Sequence, residues 1–495
     1  MYSTKPKAKR WPIVLLVIIL LLAGSIFYSY RWLKNLSPEQ ILRSDFIQDQ
    51  IRNQFGDEKA ELFALLPEML GFSEPKTYLL LFLNNTELRP GGGFVGVYAT
   101  VRVDKGETEI LALEGTEVID SKTPASWNPK PPQILTEQLK VNKWYFRDSN
   151  WSPDFEVNAK KALEFYKGEG GVVADNIDAV VGITATTLEK LLEITGPVTV
   201  EGITFSPEDV IEKLEYEVEY GYDERGIHFV ERKQIIKPFM LALLGHVKDN
   251  LFQNISEYGN LFGELASEKH VMLYSLDESL QEKIESLGFS GEVVNTQSDY
   301  LMWVDANLAS LKTDYAIDRS LQYSLSLRPP AHESEDYYYM AAVTMKYKHR
   351  GAFNWRTSRY RTYARVYVPQ GSKLTSAIVT NGANSKVLNP EQVGQGIELG
   401  KQWFGLFVSF EPGTEGSVQF IYKLPDFITR QIDDNLYTLF VQKQLGTVKS
   451  DLTLKLDFDK TIISAKPGEE RQEWGDKVYR SESDLRVDRE FSILF

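Results

Sequence analysis

The residues best suited to chemistry stand together in Asn84-Asn85-Thr86-Glu87-Leu88-Arg89-Pro90-Gly91-Gly92-Gly93-Phe94, directly after the apolar residues 78–83. Arg89 offers a planar fork of donors that matches phosphate or carboxylate oxygens, and three glycines allow a ligand close to the main chain. Glu87 could accept a proton or help hold a hard cation, and Asn85 stands beside them as a further ligand-binding candidate. A buried strand opening into such a turn presents N–H groups and a guanidinium at one mouth, which suits an anion. The same residues permit a plainer reading. There, the glycines relieve a tight turn or bulge and Arg89 pairs with Glu87 or another carboxylate.

Three further polar clusters carry charge. Arg147-Asp148-Ser149-Asn150-Trp151-Ser152-Pro153-Asp154-Phe155 reads as a loop before a helix. Arg147 and Asp148 could line a pocket opposite Arg89 with Trp151 stacking on a sugar or lipid head group; alternatively Asp154 caps the helix and Arg147 pairs with Asp148. Glu231-Arg232-Lys233-Gln234 opens a predicted helix over residues 232–246. Basic side chains there oppose the helix dipole, so an anion held by Arg232, Lys233 and Gln234 would explain them, unless Glu231 neutralises one. Residues 346–365 hold seven basic side chains and no acidic one, a strip fit for an anionic wall polymer or lipid surface, or a solvated sheet face.

Familiar enzyme motifs are missing. There is no G-x-S-x-G elbow, H-E-x-x-H, phosphate-binding loop or dinucleotide fingerprint, and the five histidines show no ligand spacing, so no metal site is assigned. Zero cysteines exclude disulfides, thiolate metal sites and a cysteine nucleophile. A formal net charge of −14 argues against general affinity for nucleic acid.

The elements that must position these residues follow from periodicity. Residues 1–10 form a basic tail and residues 11–30 carry no charge, long enough as a helix to span a bilayer. Lys5, Lys7, Lys9 and Arg10 precede that span, which keeps the N-terminus cytoplasmic and the body outside. A cleaved signal peptide, with a small-residue site at Ala23-Gly24-Ser25, is the competing reading. Residues 31–75 read as a helical neck. Residues 76–313 alternate strand and helix, which predicts a layered α/β domain. Residues 314–495 lose helical periodicity: Leu321, Tyr323, Leu325 and Leu327, then Leu452, Leu454, Leu456 and Phe458, alternate with polar residues. That predicts an antiparallel β-sandwich.

Four ordered motifs carry a resemblance to the bacterial domain of unknown function 4012. They are the string from Asn84 to Gly92, the string from Arg147 to Phe155, Ile177-Asp178-Ala179-Val180-Val181-Gly182 running to Gly196-Pro197-Val198, and Tyr363-Ala364-Arg365-Val366-Tyr367-Val368-Pro369. Members are membrane-anchored and lack an established activity. From Asp178 to Gln234 the chain is also distantly similar to LytR-CpsA-Psr proteins. That family moves glycopolymers from polyprenyl diphosphate carriers to peptidoglycan, with arginines on the diphosphate and acids on Mg²⁺. The resemblance implies Glu87 and Arg89 near its first catalytic acid and arginine, Lys233-Gln234 near its Arg-Gln pair, and Mg²⁺ as a cofactor. Its paired arginines have no counterpart in Leu214-Glu215-Tyr216-Glu217-Val218-Glu219, which leaves turnover open. Two expectations follow. One is a single-pass, extracytoplasmic cell-envelope protein that binds, or also transfers, a polyprenyl-diphosphate-linked glycan through Arg89, Arg147 and Arg232. The other is a non-catalytic envelope scaffold that recognises a wall polymer.

Overall fold

Residues 78–83 sit inside strand β1 (Lys76–Asn84), and their unbroken apolarity has a cause: helices cover both faces of the sheet they join. The computed structural model describes residues 67–250, 253–329 and 337–495, with Asp49, Arg52 and Leu65 besides. The basic tail, the bilayer-spanning segment and most of the neck lie outside the described residues. Among the described residues no helix is long and apolar enough to cross a membrane. Leu65, Met69 and Leu70, at the end of the predicted neck, pack into the core of the first unit, and Gly71 turns the chain at φ 69°.

The protein is mixed α/β with several sheets and a β-rich C-terminal region, divided into two compact units. Of the described residues, the first unit comprises those up to Asn84, Gly91–Lys130 and Lys143–Glu292. Its sheet gathers β1, β2 (Phe94–Asp104), β3 (Glu107–Gly115) and β4 (Ala179–Thr184). After the two-stranded ribbon of β5 (Val198–Val200) and β6 (Ile203–Phe205), β7 (Val271–Ser275) completes it in the order β3-β2-β1-β4-β7. Only β1 and β4 run parallel in this sheet. One face buries Tyr78, Leu80, Val101 and Val181 against Leu192, Phe239, Leu243 and Phe262. The other meets helix Phe155–Gly168, whose Tyr166 hydroxyl lies 2.6 Å from Thr100 Oγ1. Gly182 in β4 permits this approach, since a Cβ there would stand 2.6 Å from the Phe155 ring.

The second unit comprises Asn85–Pro90, Pro131–Asn142 and Val293–Phe495. One seven-stranded sheet runs Asn384–Leu388, Lys373–Asn381, Glu415–Lys423, Tyr338–His349, Ile317–Arg328, Asp451–Asp457, Val478–Asp484. The other runs Gly394–Glu398, Lys401–Phe410, Tyr360–Pro369, Asp299–Val304, Leu436–Gln442, Arg489–Leu494, Ser464–Lys466. Leu321, Tyr323, Leu325, Leu452, Leu454 and Leu456 from the first share one core with Trp303, Val366, Phe404 and Leu439 from the second. Two pairings depart from the antiparallel expectation. Asp299–Val304 with Leu436–Gln442, and Ile317–Arg328 with Asp451–Asp457, are parallel. Alternation fixes the face a residue occupies and not the direction of its neighbour. The unit also begins at Val293 rather than at 314, because Asp299–Val304 pairs within its second sheet.

Candidate functional site

The glycine-lined mouth expected at Arg89 is not built as a ligand site. The chain leaves the first unit after Asn84, contributes Asn85–Pro90 to the second, and returns at Gly91. Arg89 is 3% exposed, and its Nη1 donates to the Asn307 carbonyl at 2.6 Å while Nη2 donates to Glu87 Oε1 at 3.2 Å. Asn85 Nδ2 donates to Gly446 O at 2.9 Å, and Gln444 Nε2 donates to Arg89 O. Leu88 N–H donates to Asp314, whose carboxylate also meets buried Arg319 and the Tyr360 hydroxyl. Glu87, Arg89 and Asn85 therefore fasten a crossing segment into a polar core. These contacts favour the plainer reading of the stretch, an anchor in place of the catalytic and ligand roles expected of it, because a desolvated guanidinium needs fixed acceptors and here the chain supplies them.

The glycines have an internal cause as well. Gly91 N–H donates to Asn150 O at 3.1 Å, and Asn150 Nδ2 donates to Gly93 O at 2.5 Å. A Cβ at Gly91 would lie 2.3 Å from Asn158 Nδ2 and 2.9 Å from Asn150 O, so the close partner is the chain itself.

Arg147 is also occupied. Its Nε stands 2.5 Å from Oδ2 of Asp120, whose side chain is 1% exposed. Burial pushes the Asp120 carboxyl up to about 8; Arg147 pulls it down while Glu169 and Asp148 push it further up. Glu169 accepts from Phe146 N–H at 2.9 Å and is likewise raised by burial. The Asp148 carbonyl accepts from Trp144 Nε1 at 2.8 Å, and Trp151 is half-buried. Asp154 caps its helix, with Oδ1 accepting from Val157 N–H at 2.9 Å, as the plainer reading expected.

The third cluster is gathered by residues that the sequence did not single out. Arg232 and Lys233 lie in a turn before helix Ile236–Asn250, not in its first turn, because the helix starts later than its periodicity predicts. Lys233 Nζ donates to Gly96 O at 2.6 Å and to Glu117 Oε2 at 2.5 Å. Burial draws the Lys233 ammonium below its ordinary value, and Glu117 opposes that. Arg232 pairs with Glu219 at 3.3 Å and Glu117 at 3.6 Å and lies 4.7 Å from the Phe229 ring centre, while its buried Nε has no hydrogen-bond partner among the described residues. Asn84, the last residue of β1, donates to buried Glu215 at 3.0 Å. A π-helical turn, Glu217–Gly221, follows helix Val210–Tyr216 and places Glu219 on Arg232. Gln234 is exposed. Glu117 gave no sequence signal, and Glu215 and Glu219 looked like a departure from an arginine-bearing pattern.

The basic strip is largely neutralised from neighbouring strands. Lys348 pairs with Glu415, Arg350 with Asp318, Arg359 with Glu411 and Arg365 with Glu398, and Arg356 stacks on Tyr315 at 3.9 Å. Glu87, the expected Mg²⁺ ligand, has its Oε1 3.2 Å from Arg89 Nη2. The carboxylate triad with oxygens within 4.8 Å of one another among the described residues, Glu156, Glu285 and Glu292, contains none of the predicted site residues.

Comparison with known proteins gives one family match. The model of a family described as "Protein of unknown function (DUF4012)" matches residues 73–219. No curated protein matches the chain. Among solved structures, a putative nutrient binding protein from Legionella pneumophila is similar at 7% identity, with 40% of this chain and 71% of that one covered and a TM-score of 0.26. Lin1025 protein from Listeria innocua is similar at 11%, covering 44% and 80%, TM-score 0.25. The transcriptional regulator yvhJ from Bacillus subtilis is similar at 13%, covering 48% and 85%, TM-score 0.22. TM-scores this far under 0.5 establish no common fold.

Proposed function

We propose, from the premise that residues 73–219 belong to the DUF4012 family, that this is a membrane-anchored, extracytoplasmic cell-envelope protein whose α/β unit binds a polyprenyl-diphosphate-linked glycan. The uncharged residues 11–30 after a basic tail support the anchor and its orientation. The likeness to LytR-CpsA-Psr proteins and the reading of the second unit as a sandwich of its two sheets belong to the same proposal.

The observation that carries the binding site is the cation pair Arg232 and Lys233, collected by Glu117 beside the end of β1. That end is the carboxyl edge of the parallel pair β1 and β4, flanked on the other side by antiparallel β2, so strand order changes direction there. Crevices at such edges are where α/β sheets take ligands. A diphosphate competes with Glu117 and Glu219 for the guanidinium, and its oxygens supply an acceptor for Arg232 Nε. Arg89, 3% exposed and bound to the Asn307 carbonyl, and Arg147, paired with buried Asp120, are left outside this ligand set. The wall-polymer reading loses support from the pairing of the basic strip.

Full-length protein extracted in detergent tests this by mass spectrometry of its co-purified lipid. A polyprenyl phosphate species should accompany the native chain and fall about tenfold in an Arg232→Ala, Lys233→Met double variant, the change expected for about 1.4 kcal/mol of lost charge-assisted bonding. Equal lipid content in the two proteins, or no polyprenyl lipid in either, overturns the proposal.

A further inference from the structure

Outside the proposed binding site, the first unit buries two carboxyl groups that its anion chemistry does not use. Asp120 lies in the last turn of the short helix Thr116–Ser121 and Glu169 caps helix Phe155–Gly168; they are 4% and 2% exposed, each carboxyl acts on the other, and they hold the adjacent residues Arg147 and Phe146. Glu169 Oε1 accepts from Phe146 N–H, and Arg147 meets Asp120 Oδ2. Asp120 Oδ1 and Glu169 Oε2 are buried and receive no N–H or O–H from the described residues. Two acceptor-only groups facing each other out of water require a donor, and a proton on one of them is the donor that fits.

The surrounding charges set the balance. Arg147 and Asp148 face Asp120 from the loop, and Tyr98 faces it from β2 with its hydroxyl on Glu114. Lys143 and the Thr123 hydroxyl face Glu169. One arginine and one lysine offset two carboxylates and Asp148, so a doubly ionised pair is short of positive charge.

The pair also holds a motif. Phe146 and Arg147, which the two carboxyls grip, lead within three residues to Asn150, whose side chain and carbonyl bind Gly93 and Gly91. We propose that one proton shared by Asp120 and Glu169 latches the loop of residues 145–150, and through Asn150 the glycine stretch, to the α/β unit, and that its loss in alkaline solution releases both.

The sign follows from the raised carboxyl. In the folded latch Asp120 keeps its proton up to about 8, whereas unfolded or released it loses it near the ordinary 3.8. Latch stability is full below the ordinary value and declines as pH rises through this window, by up to tenfold in the closed-to-open ratio per pH unit.

Full-length protein is tested in two ways. Infrared difference spectra at pH 6.5 should show a protonated-carboxyl stretch that Asp120→Asn removes, and amide exchange of Phe146, Ser149 and Asn150, corrected for intrinsic rates, should accelerate at least tenfold from pH 6.5 to 9. Asp120→Asn keeps a neutral donor toward Glu169, so it should hold the loop closed at both values. If that variant does not fold, Glu169→Gln serves in its place with the same expected result. An absent carboxyl band, or equal loop opening at pH 9 in native and neutralised proteins, overturns the proposal. Unchanged lipid content in Asp120→Asn separates the latch from the binding site.

Discussion

Replacing Arg89 with alanine separates an anchor from a ligand-binding residue. The guanidinium is 4% exposed and holds the Asn307 carbonyl at 2.6 Å and Glu87 at 3.2 Å. Truncation leaves a buried carbonyl without its donor, which costs about 1–3 kcal/mol. It also strands Glu87, whose side chain is 19% exposed, and this adds a partly screened share of the about 3–5 kcal/mol typical of broken buried pairs. The sum is about 3–4 kcal/mol, and for a unit of this size each kcal/mol shifts Tm by about 2–4 °C. Calorimetry on the full-length protein should therefore show a transition lowered by about 6–16 °C. Glu87→Gln keeps an acceptor for Nη2 and should cost only about 1 kcal/mol. Co-purified lipid, normalised to folded protein, should not change in either variant. An Arg89→Ala protein that melts within about 2 °C of the native chain yet loses lipid would refute this reasoning and return Arg89 to the ligand set.

Two smaller substitutions probe the surrounding packing. Gly91→Ala forces a Cβ to within 2.3 Å of Asn158 Nδ2 and 2.9 Å of Asn150, so it should destabilise by about 1–3 kcal/mol in denaturant unfolding. Gly96→Ala, where the nearest atom is 3.8 Å away, serves as the tolerant control, and equal effects at both positions would sink the close-approach account. Thr187, 4% exposed, buries a hydroxyl with no hydrogen-bond partner among the described residues. Thr187→Val should leave Tm unchanged or raise it, by up to about 1 kcal/mol of stability, and a clear loss would show that the hydroxyl has a partner.

Local chemistry in the chain determined much of the element pattern. Continuous apolarity over residues 78–83 marked a doubly covered strand, Asp154 marked a helix start that its side chain does cap, and alternation at Leu321–Leu325 and Leu452–Leu456 marked inward faces of a shared core. These features depend on neighbours a few residues apart, so sequence spacing carries them. Partner choice depends on groups brought together from far along the chain. Arg89 found Asn307 across 218 residues, Lys233 found Glu117 across 116, and Arg147 found Asp120 rather than adjacent Asp148. A guanidinium reads the same in sequence whether it faces solvent, a ligand or a buried carbonyl. Desolvation in the folded chain decides between them, and for Arg89 and Arg147 the chain's own acceptors were already in place.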